Sequence, residues 1–165
     1  MNIHTVILAA GEGSRMLSNK AKSLQPVGGQ SMLKRIYTNV ADITHSTSFV
    51  VGFGKEAVLD EIKQFDGKIF SCEQKQAIGT ADAVKSALST ISNESIVVVL
   101  YGDVPLIKKE TIKELILTSD EGLTILSTIM DNPYGYGRVK KDSEGHAQSI
   151  IEEKDATDND KKIKE

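Results

Sequence analysis

Short apolar runs alternate with segments of helical periodicity along most of this chain, and the alternation constrains the fold more than any other feature. The first run, residues 3–9, has the character of a strand buried on both faces, and Gly11 and Gly13 follow it. Strands that alternate with helices imply right-handed crossovers and a largely parallel sheet covered on both sides. We therefore predict an α/β fold.

The same periodicities predict the individual elements. Helices are expected at 32–43, at 55–65, from Thr80 as capping residue to 91, and at 108–119. Strands are expected at 3–9, 47–51, 68–71, 95–101 and 123–130, with two more in 137–151. The stretch 95–101 is the most apolar in the chain and should be a central strand, whereas the highly charged residues 152–165 are typical of a solvated tail or an interrupted element.

Length and composition narrow the class of protein. The 165 residues suit one ordinary domain, and 20 basic against 23 acidic side chains leave a net charge of -3, which argues against a nucleic-acid partner. Aromatic residues make up 5% of the chain and Trp is absent, so stacking platforms for single strands are not expected either. A lone Cys72, no signal-peptide pattern and no apolar run long enough to span a bilayer indicate a cytoplasmic protein without a membrane partner.

In a parallel sheet, ligands bind beyond the carboxyl ends of the strands, so the first loop to consider is "AAGEGSR", residues 9–15. Its small residues let the backbone approach a ligand closely, and Arg15 adds a charge that suits phosphate. Met16 stands where a dinucleotide fingerprint needs Gly or Ala, and the Gly-Lys-Ser/Thr of a Walker loop is missing. An ordinary turn with a surface arginine explains the same residues.

Two further charged residues have functional and ordinary interpretations. Asp103 follows the most apolar strand in "YGDVPLI" and could hold Mg²⁺, which prefers one or two carboxylates together with phosphate oxygens and water. A turn or capping role explains it equally well. Lys22 in "KAKSL" could meet a phosphate, or it could simply be solvated. Ser14 has no neighbouring base in the sequence, so covalent catalysis is not indicated.

Five motifs in this order resemble the nucleotidyltransferase domain of bacterial N-acetylglucosamine-1-phosphate uridyltransferases, which also carry a glucosamine-1-phosphate acetyltransferase activity. They are "LAAGEGSRM", "QKQAIGTADAV", "YGDVPLI", "NPYGYGRV" and "IIEEKDAT". The resemblance runs the length of the chain and implies a Rossmann-like nucleotidyltransferase fold with a mainly parallel, mixed central sheet.

The resemblance also implies a role for each matching residue. The nucleotide would contact Leu8, Ala9, Ala10, Gly11, Gln74, Gly79 and Thr80. Gln74 would read the uracil, while Arg15 and Lys22, the implied catalytic residues, would contact the triphosphate. Asp103 would hold the Mg²⁺ cofactor, and the sugar would contact Thr80, Gly137 and Glu152.

The implied reaction is Mg²⁺-dependent transfer of UMP from UTP to N-acetylglucosamine 1-phosphate, giving UDP-N-acetylglucosamine for cell-envelope polysaccharides such as peptidoglycan and lipopolysaccharide. Two alternatives stay open at this point. One is a related transferase that uses another nucleotide or sugar phosphate, including the molybdenum-cofactor guanylyltransferase type. The other is a truncated domain that binds nucleotide without turnover.

Members of this family continue past the motif "IIEEKDAT" into a β-helix of hexapeptide repeats, which carries the acetyltransferase and forms the trimer. The present sequence resembles only the part before that β-helix. We therefore expect residues 1–165 to be a single, C-terminally incomplete nucleotidyltransferase domain, whose parent enzyme would be a homotrimer.

Overall fold

The apolar run near the N-terminus forms strand β1 (Asn2–Leu8), in which five successive residues are buried. This is a computed structural model that describes residues 2–76, 78–119 and 122–165; the side chain of Arg15 lies outside its description. The chain forms two compact units, Met1–Thr118 and Ser119–Glu165, which we call unit 1 and unit 2. The expectation of one incomplete domain stays a prediction.

Unit 1 alternates strands and helices as expected. Its strands are β1, β2 (Pro26–Val27), β3 (Gln30–Ser31), β4 (Ser46–Val51), β5 (Ile69–Glu73) and β6 (Ser95–Tyr101). Its helices are α1 (Met32–Val40), α2 (Lys55–Ile62), α3 (Thr80–Ala87) and α4 (Lys109–Leu117). Short 3-10 turns at Ser14–Met16 and Lys22–Leu24 follow β1, and a third at Leu88–Thr90 follows α3.

The central sheet has the strand order β5-β4-β1-β6, and all of its pairs are parallel. One face packs against α1, α2 and α4 through a core that includes Ile7, Phe49 and Val98. The other face packs against α3 through Val6 and Val50. The predicted α/β class is therefore confirmed, and antiparallel pairing occurs in two separate two-stranded sheets rather than within the central one.

A buried polar network lies on the α3 side of the sheet. The ring of His4 is 1% exposed and is hydrogen bonded at both nitrogens, to Ser46 Oγ and to Ser48 Oγ, each at 2.8 Å. Ser48 Oγ is in turn 2.6 Å from Thr90 Oγ1. Burial, with a smaller effect from the charge of Lys68, lowers the pKa of His4, because both disfavour the charged imidazolium.

Three local expectations were wrong, two of them in unit 1 and one in unit 2. Gly79, not Thr80, is the capping residue of α3, because the chain enters the helix at φ 130°, a backbone conformation that only glycine adopts without strain. Strand 95–101 lies at the edge of the sheet, where Val97 and Val99 on its α3 side are more than a third exposed. Residues 123–130 form no strand among the described residues. Their β-branched side chains favour extended backbone, but extended backbone becomes a strand only when a neighbouring strand pairs with it.

Unit 2 contains the antiparallel hairpin of β7 (Arg138–Lys141) and β8 (Ala147–Ile151). The guanidinium of Arg138 is buried and donates to Glu153 Oε2 at 2.8 Å. The charged C-terminal residues are not simply solvated, because Glu165 O accepts a hydrogen bond from Val139 N and Lys164 O accepts one from Met130 N, both at 2.8 Å. These bonds hold the tail within unit 2.

Candidate active site

A cavity of about 700 Å³ opens at the carboxyl ends of β1, β5 and β6, the place at which parallel sheets bind ligands. Its lining comes from the loops that follow these strands and from the start of α3. The lining residues are Leu8, Ala9, Ala10, Gly11, Gly13, Ser14, Met16, Lys22, Ser23, Gln74, Gly79, Thr80, Ala83, Tyr101, Gly102 and Asp103. Nine of the twelve residues to which the sequence assigned roles therefore border one space in unit 1.

The floor of the cavity is held by backbone pairing at the end of β1. Ala9 N donates to Val50 O at 2.8 Å, and Gly102 N donates to Leu8 O at 2.8 Å. A Cβ atom on Gly102 would lie 2.6 Å from that same carbonyl oxygen. Glycine at 102 is thus what allows the loop after β6 to approach β1 and bring Asp103 to the cavity.

The two glycines of the first loop have different surroundings. Gly13 has φ 68°, and a Cβ atom there would lie 2.8 Å from Cβ of Lys22, so this residue packs against the stem of the lysine. Gly11 lines the cavity, and a Cβ atom there would meet no described atom within 4 Å. Gly13 therefore helps to position Lys22, whereas Gly11 leaves space open for a ligand.

Lys22 and Asp103 form an ion pair at the cavity, although 81 residues separate them in sequence. Lys22 Nζ donates to Asp103 Oδ2, and the two side chains are 32% and 35% exposed. An ion pair at this exposure contributes little to stability, because water screens it. Both charges are therefore available to a ligand of opposite charge at small cost.

Gln74 borders the cavity at the end of β5, and its amide nitrogen is held by α3. Nε2 donates to Gly79 O at 3.0 Å and to Asp82 Oδ2 at 3.1 Å. The backbone N of Gln74 donates to Val51 O at 2.9 Å, which extends the pairing of β5 with β4 by one residue. The side chain thus has a fixed place beside the start of the helix.

Three residues with predicted roles are not among the described lining residues of the cavity. The backbone of Arg15 lies in the Ser14–Met16 turn, between two lining residues, but its side chain lies outside the described part of the structure. Gly137 and Glu152 belong to unit 2, where they flank the paired residues Arg138 and Ile151 and so lie at the same end of the hairpin.

Sequence reasoning gave no binding role to several lining residues or to Asp82. Ala83 lies three residues after Thr80, so helical spacing could have placed it on the same face. Ser23 carries a buried Oγ that has no hydrogen-bond partner among the described residues, a feature no local pattern reveals. The contact of Asp82 with Gln74 joins a helix to a preceding strand end, and sequence spacing does not predict it.

Sequence similarity shows the family to which the chain belongs. A family model described as the MobA-like NTP transferase domain matches residues 5–134. The chain belongs to this family. As a MobA-like NTP transferase domain it also resembles the solved structure of HddC from Yersinia pseudotuberculosis, at TM-score 0.74 and 23% identity over 91% of this chain and 69% of that one. A nucleotidyl transferase from Methanothermobacter matches at TM-score 0.65 and 19% identity over 82% and 68% of the two chains. These likenesses confirm the predicted nucleotidyltransferase fold.

Curated relatives of this MobA-like domain are proteins named Bifunctional protein GlmU. The sequence is 43% identical to that of Francisella philomiragia over 100% of this chain and 36% of the relative, and 44% identical to that of Ruthia magnifica over 99% and 36%. The chain thus spans little more than a third of the length of these relatives. The predicted resemblance to these proteins is confirmed over the whole of residues 1–165. No helix in the described ranges is long and apolar enough to cross a membrane.

Proposed function

We propose that this chain is the nucleotidyltransferase part of an enzyme that transfers UMP from UTP to N-acetylglucosamine 1-phosphate, releasing pyrophosphate. The observation that carries the proposal is the cavity in which a lysine and a carboxylate lie beside a loop of small residues. Its size, about 700 Å³, lies within the range of small-molecule sites. The similarity to GlmU proteins supports uridine and N-acetylglucosamine as the specific groups.

The nucleoside would lie against Leu8, Ala9, Ala10 and Gly11, with Gln74, Gly79 and Thr80 around the base and ribose. The open space beside Gly11 supports this assignment, because a bulkier residue there would occupy the volume that the nucleoside needs. Thr80 opens α3 and lines the cavity, so its hydroxyl is available to the ribose or the sugar.

Lys22 and Arg15 would bind the triphosphate. Lys22 pairs with Asp103, and the arrival of several negative charges would draw the ammonium group to the phosphates. The carboxylate of Asp103 is then released to a second cation. Because this oxygen already binds a positive group, it fits a Mg²⁺ ion that is held by one carboxylate, phosphate oxygens and water, and such an ion would neutralise charge on the phosphates.

The reaction needs no nucleophile from the protein. A phosphate oxygen of N-acetylglucosamine 1-phosphate forms a bond to the α-phosphorus of UTP as the bond from that phosphorus to the bridging oxygen breaks, and pyrophosphate leaves with the electron pair. Both reacting groups are already anionic, so no proton has to be removed. The protein contributes position and positive charge, the terms that dominate phosphoryl and nucleotidyl transfer.

Glu152 and Gly137, which belong to unit 2, keep their proposed role as sugar contacts. Glu152 is exposed after β8, and its carboxylate can accept hydrogen bonds from sugar hydroxyls. Gly137 stands at the same end of the hairpin, and we propose that it lets the sugar approach the backbone. A cytoplasmic location, a role in cell-envelope precursors and trimer formation through a further domain belong to the same proposal for the parent enzyme.

The experiment is a matrix of pyrophosphate release by the purified chain with Mg²⁺. UTP, GTP, CTP and dTTP are each combined with N-acetylglucosamine 1-phosphate, glucose 1-phosphate or no acceptor. We expect UTP with N-acetylglucosamine 1-phosphate to exceed every other pair by at least about tenfold. Faster release with another pair would replace the proposed substrates, and nucleotide binding by calorimetry without any release would favour a domain that binds but does not turn over.

A further inference from the structure

Asp82 fixes the direction in which the amide of Gln74 faces. Gln74 Nε2 donates one hydrogen to Gly79 O at 3.0 Å and the other to Asp82 Oδ2 at 3.1 Å. A backbone carbonyl and a carboxylate oxygen can only accept, so both neighbours demand the nitrogen and neither tolerates the amide oxygen in its place. The two bonds together favour one of the two orientations of the glutamine.

This arrangement uses all the donor capacity of Gln74. Oε1 is the remaining polar atom of the side chain, and no described residue donates to it. Gln74 and Gly79 border the cavity, whereas Asp82 is not among its described lining residues. Asp82 therefore contacts Gln74 without lining the cavity, so an effect of Asp82 on a ligand would pass through the glutamine.

We infer that Asp82 is a positioning residue that makes Gln74 present a hydrogen-bond acceptor to the base, so that the site selects bases with an imino N–H. Uracil, thymine and guanine carry such a hydrogen on a ring nitrogen, whereas cytosine and adenine carry a lone pair there. A glutamine free to turn would present its nitrogen to cytosine as readily as its oxygen to uracil. The inference rests on the proposed function, since it takes the cavity as the nucleotide site.

Cytosine would bind less tightly than uracil because it would leave polar groups of the site without hydrogen-bond partners. With the amide held by two acceptors, the ring nitrogen of cytosine would face Oε1 and repel it, and turning the amide would break both bonds to α3. A site that leaves polar groups unpaired discriminates more strongly than one that only excludes volume. Losing the Asp82 bond should reduce the preference for UTP over CTP by about tenfold, the effect of one hydrogen bond at the upper end of its usual range.

The test compares Asp82→Ala with Asp82→Asn, with Gln74→Ala as the reference for complete loss. Both Asp82 variants remove the negative charge from the first turn of α3, but Asn keeps an oxygen that can accept from Gln74 Nε2. Affinities for UTP and CTP are measured by calorimetry, and kcat and KM by pyrophosphate release, after thermal melting shows that each variant is folded. We expect D82A to lower the preference for UTP over CTP, measured as the ratio of the two affinities, about tenfold, and to do so through KM rather than kcat. D82N should keep this ratio within about threefold of the wild-type value.

An unchanged ratio in folded D82A, or an equal loss in D82A and D82N, would overturn the inference and leave the proposed function intact. Equal binding of UTP and CTP by the wild-type chain would do the same. A wild-type chain that binds neither nucleotide would overturn the proposed function, and the role of Asp82 with it.

Discussion

The variant Lys22→Ala tests whether the charge of Lys22 serves catalysis or only the stability of the fold. Lys22 pairs with Asp103, but the two side chains are about one-third exposed, and ion pairs of this kind contribute about 0–1 kcal/mol to stability. For a domain of this size the melting temperature should fall by no more than about 4 °C. If Lys22 holds a preorganised charge beside the transferring phosphoryl group, its removal should slow turnover about 100- to 1000-fold, which raises the activation free energy by about 2.7–4 kcal/mol.

The chain offers a matched control. Lys109 pairs with Asp42 at 2.7 Å, its side chain is 31% exposed against 32% for Lys22, and it is not among the described lining residues of the cavity. Lys109→Ala should therefore change the melting temperature about as little as Lys22→Ala does and leave turnover unaltered. Turnover is measured as pyrophosphate release at saturating substrates, beside thermal melts of the three proteins. Wild-type turnover in Lys22→Ala, or an equal loss of turnover in Lys109→Ala, would contradict the proposed role of Lys22.

Three further predictions concern the metal, the first loop and the buried histidine. Asp103→Asn should lower pyrophosphate release about 100-fold or more and flatten its dependence on Mg²⁺ concentration; an unchanged magnesium titration would remove the metal assignment. Gly11→Ala should weaken UTP binding, measured by calorimetry, and leave the melting temperature unchanged. Gly13→Ala should weaken binding and also lower the melting temperature, because the φ of Gly13 is 68° and a Cβ atom there would meet Lys22. Equal melting temperatures for the two variants would contradict this expectation. Burial lowers the pKa of His4 below that of the unfolded chain, about 6.5, so the unfolded state binds more protons and stability is lost as the pH falls below about 6.5. The melting temperature should therefore fall more steeply between pH 7 and 5 in the wild type than in His4→Gln, and parallel profiles would refute the assignment.

The parts of the fold that follow from local pattern could be predicted from the sequence. β1 is a buried apolar run that ends at glycines, and α1 carries its apolar residues on one face, so both could be located without a structure. The start of α3 could not be placed to the residue, because a threonine looks like a cap while the backbone at Gly79 decides the entry. The edge position of β6 depends on the pairing of the whole sheet, which no single segment specifies.

The candidate site also has features that could be predicted from the sequence and features that could not. Its residues were expected at one place because parallel strands present their carboxyl ends at one edge, and family resemblance supplied the individual roles. The pairing of Lys22 with Asp103 and the hold of Asp82 on Gln74 could not be predicted, since each joins side chains from different elements. Electrostatic contacts of this kind depend on the packed backbone, not on sequence spacing.

The proposed reaction breaks the bond between the α- and β-phosphates of UTP and transfers UMP to a sugar phosphate. UTP labelled at the α-phosphate and UTP labelled at the γ-phosphate are incubated in parallel with the chain, Mg²⁺ and N-acetylglucosamine 1-phosphate, and the products are separated. We predict that the α-label appears in UDP-N-acetylglucosamine and the γ-label in pyrophosphate. Release of the γ-label as free phosphate, or of the α-label as UMP without sugar nucleotide, would contradict the proposed reaction.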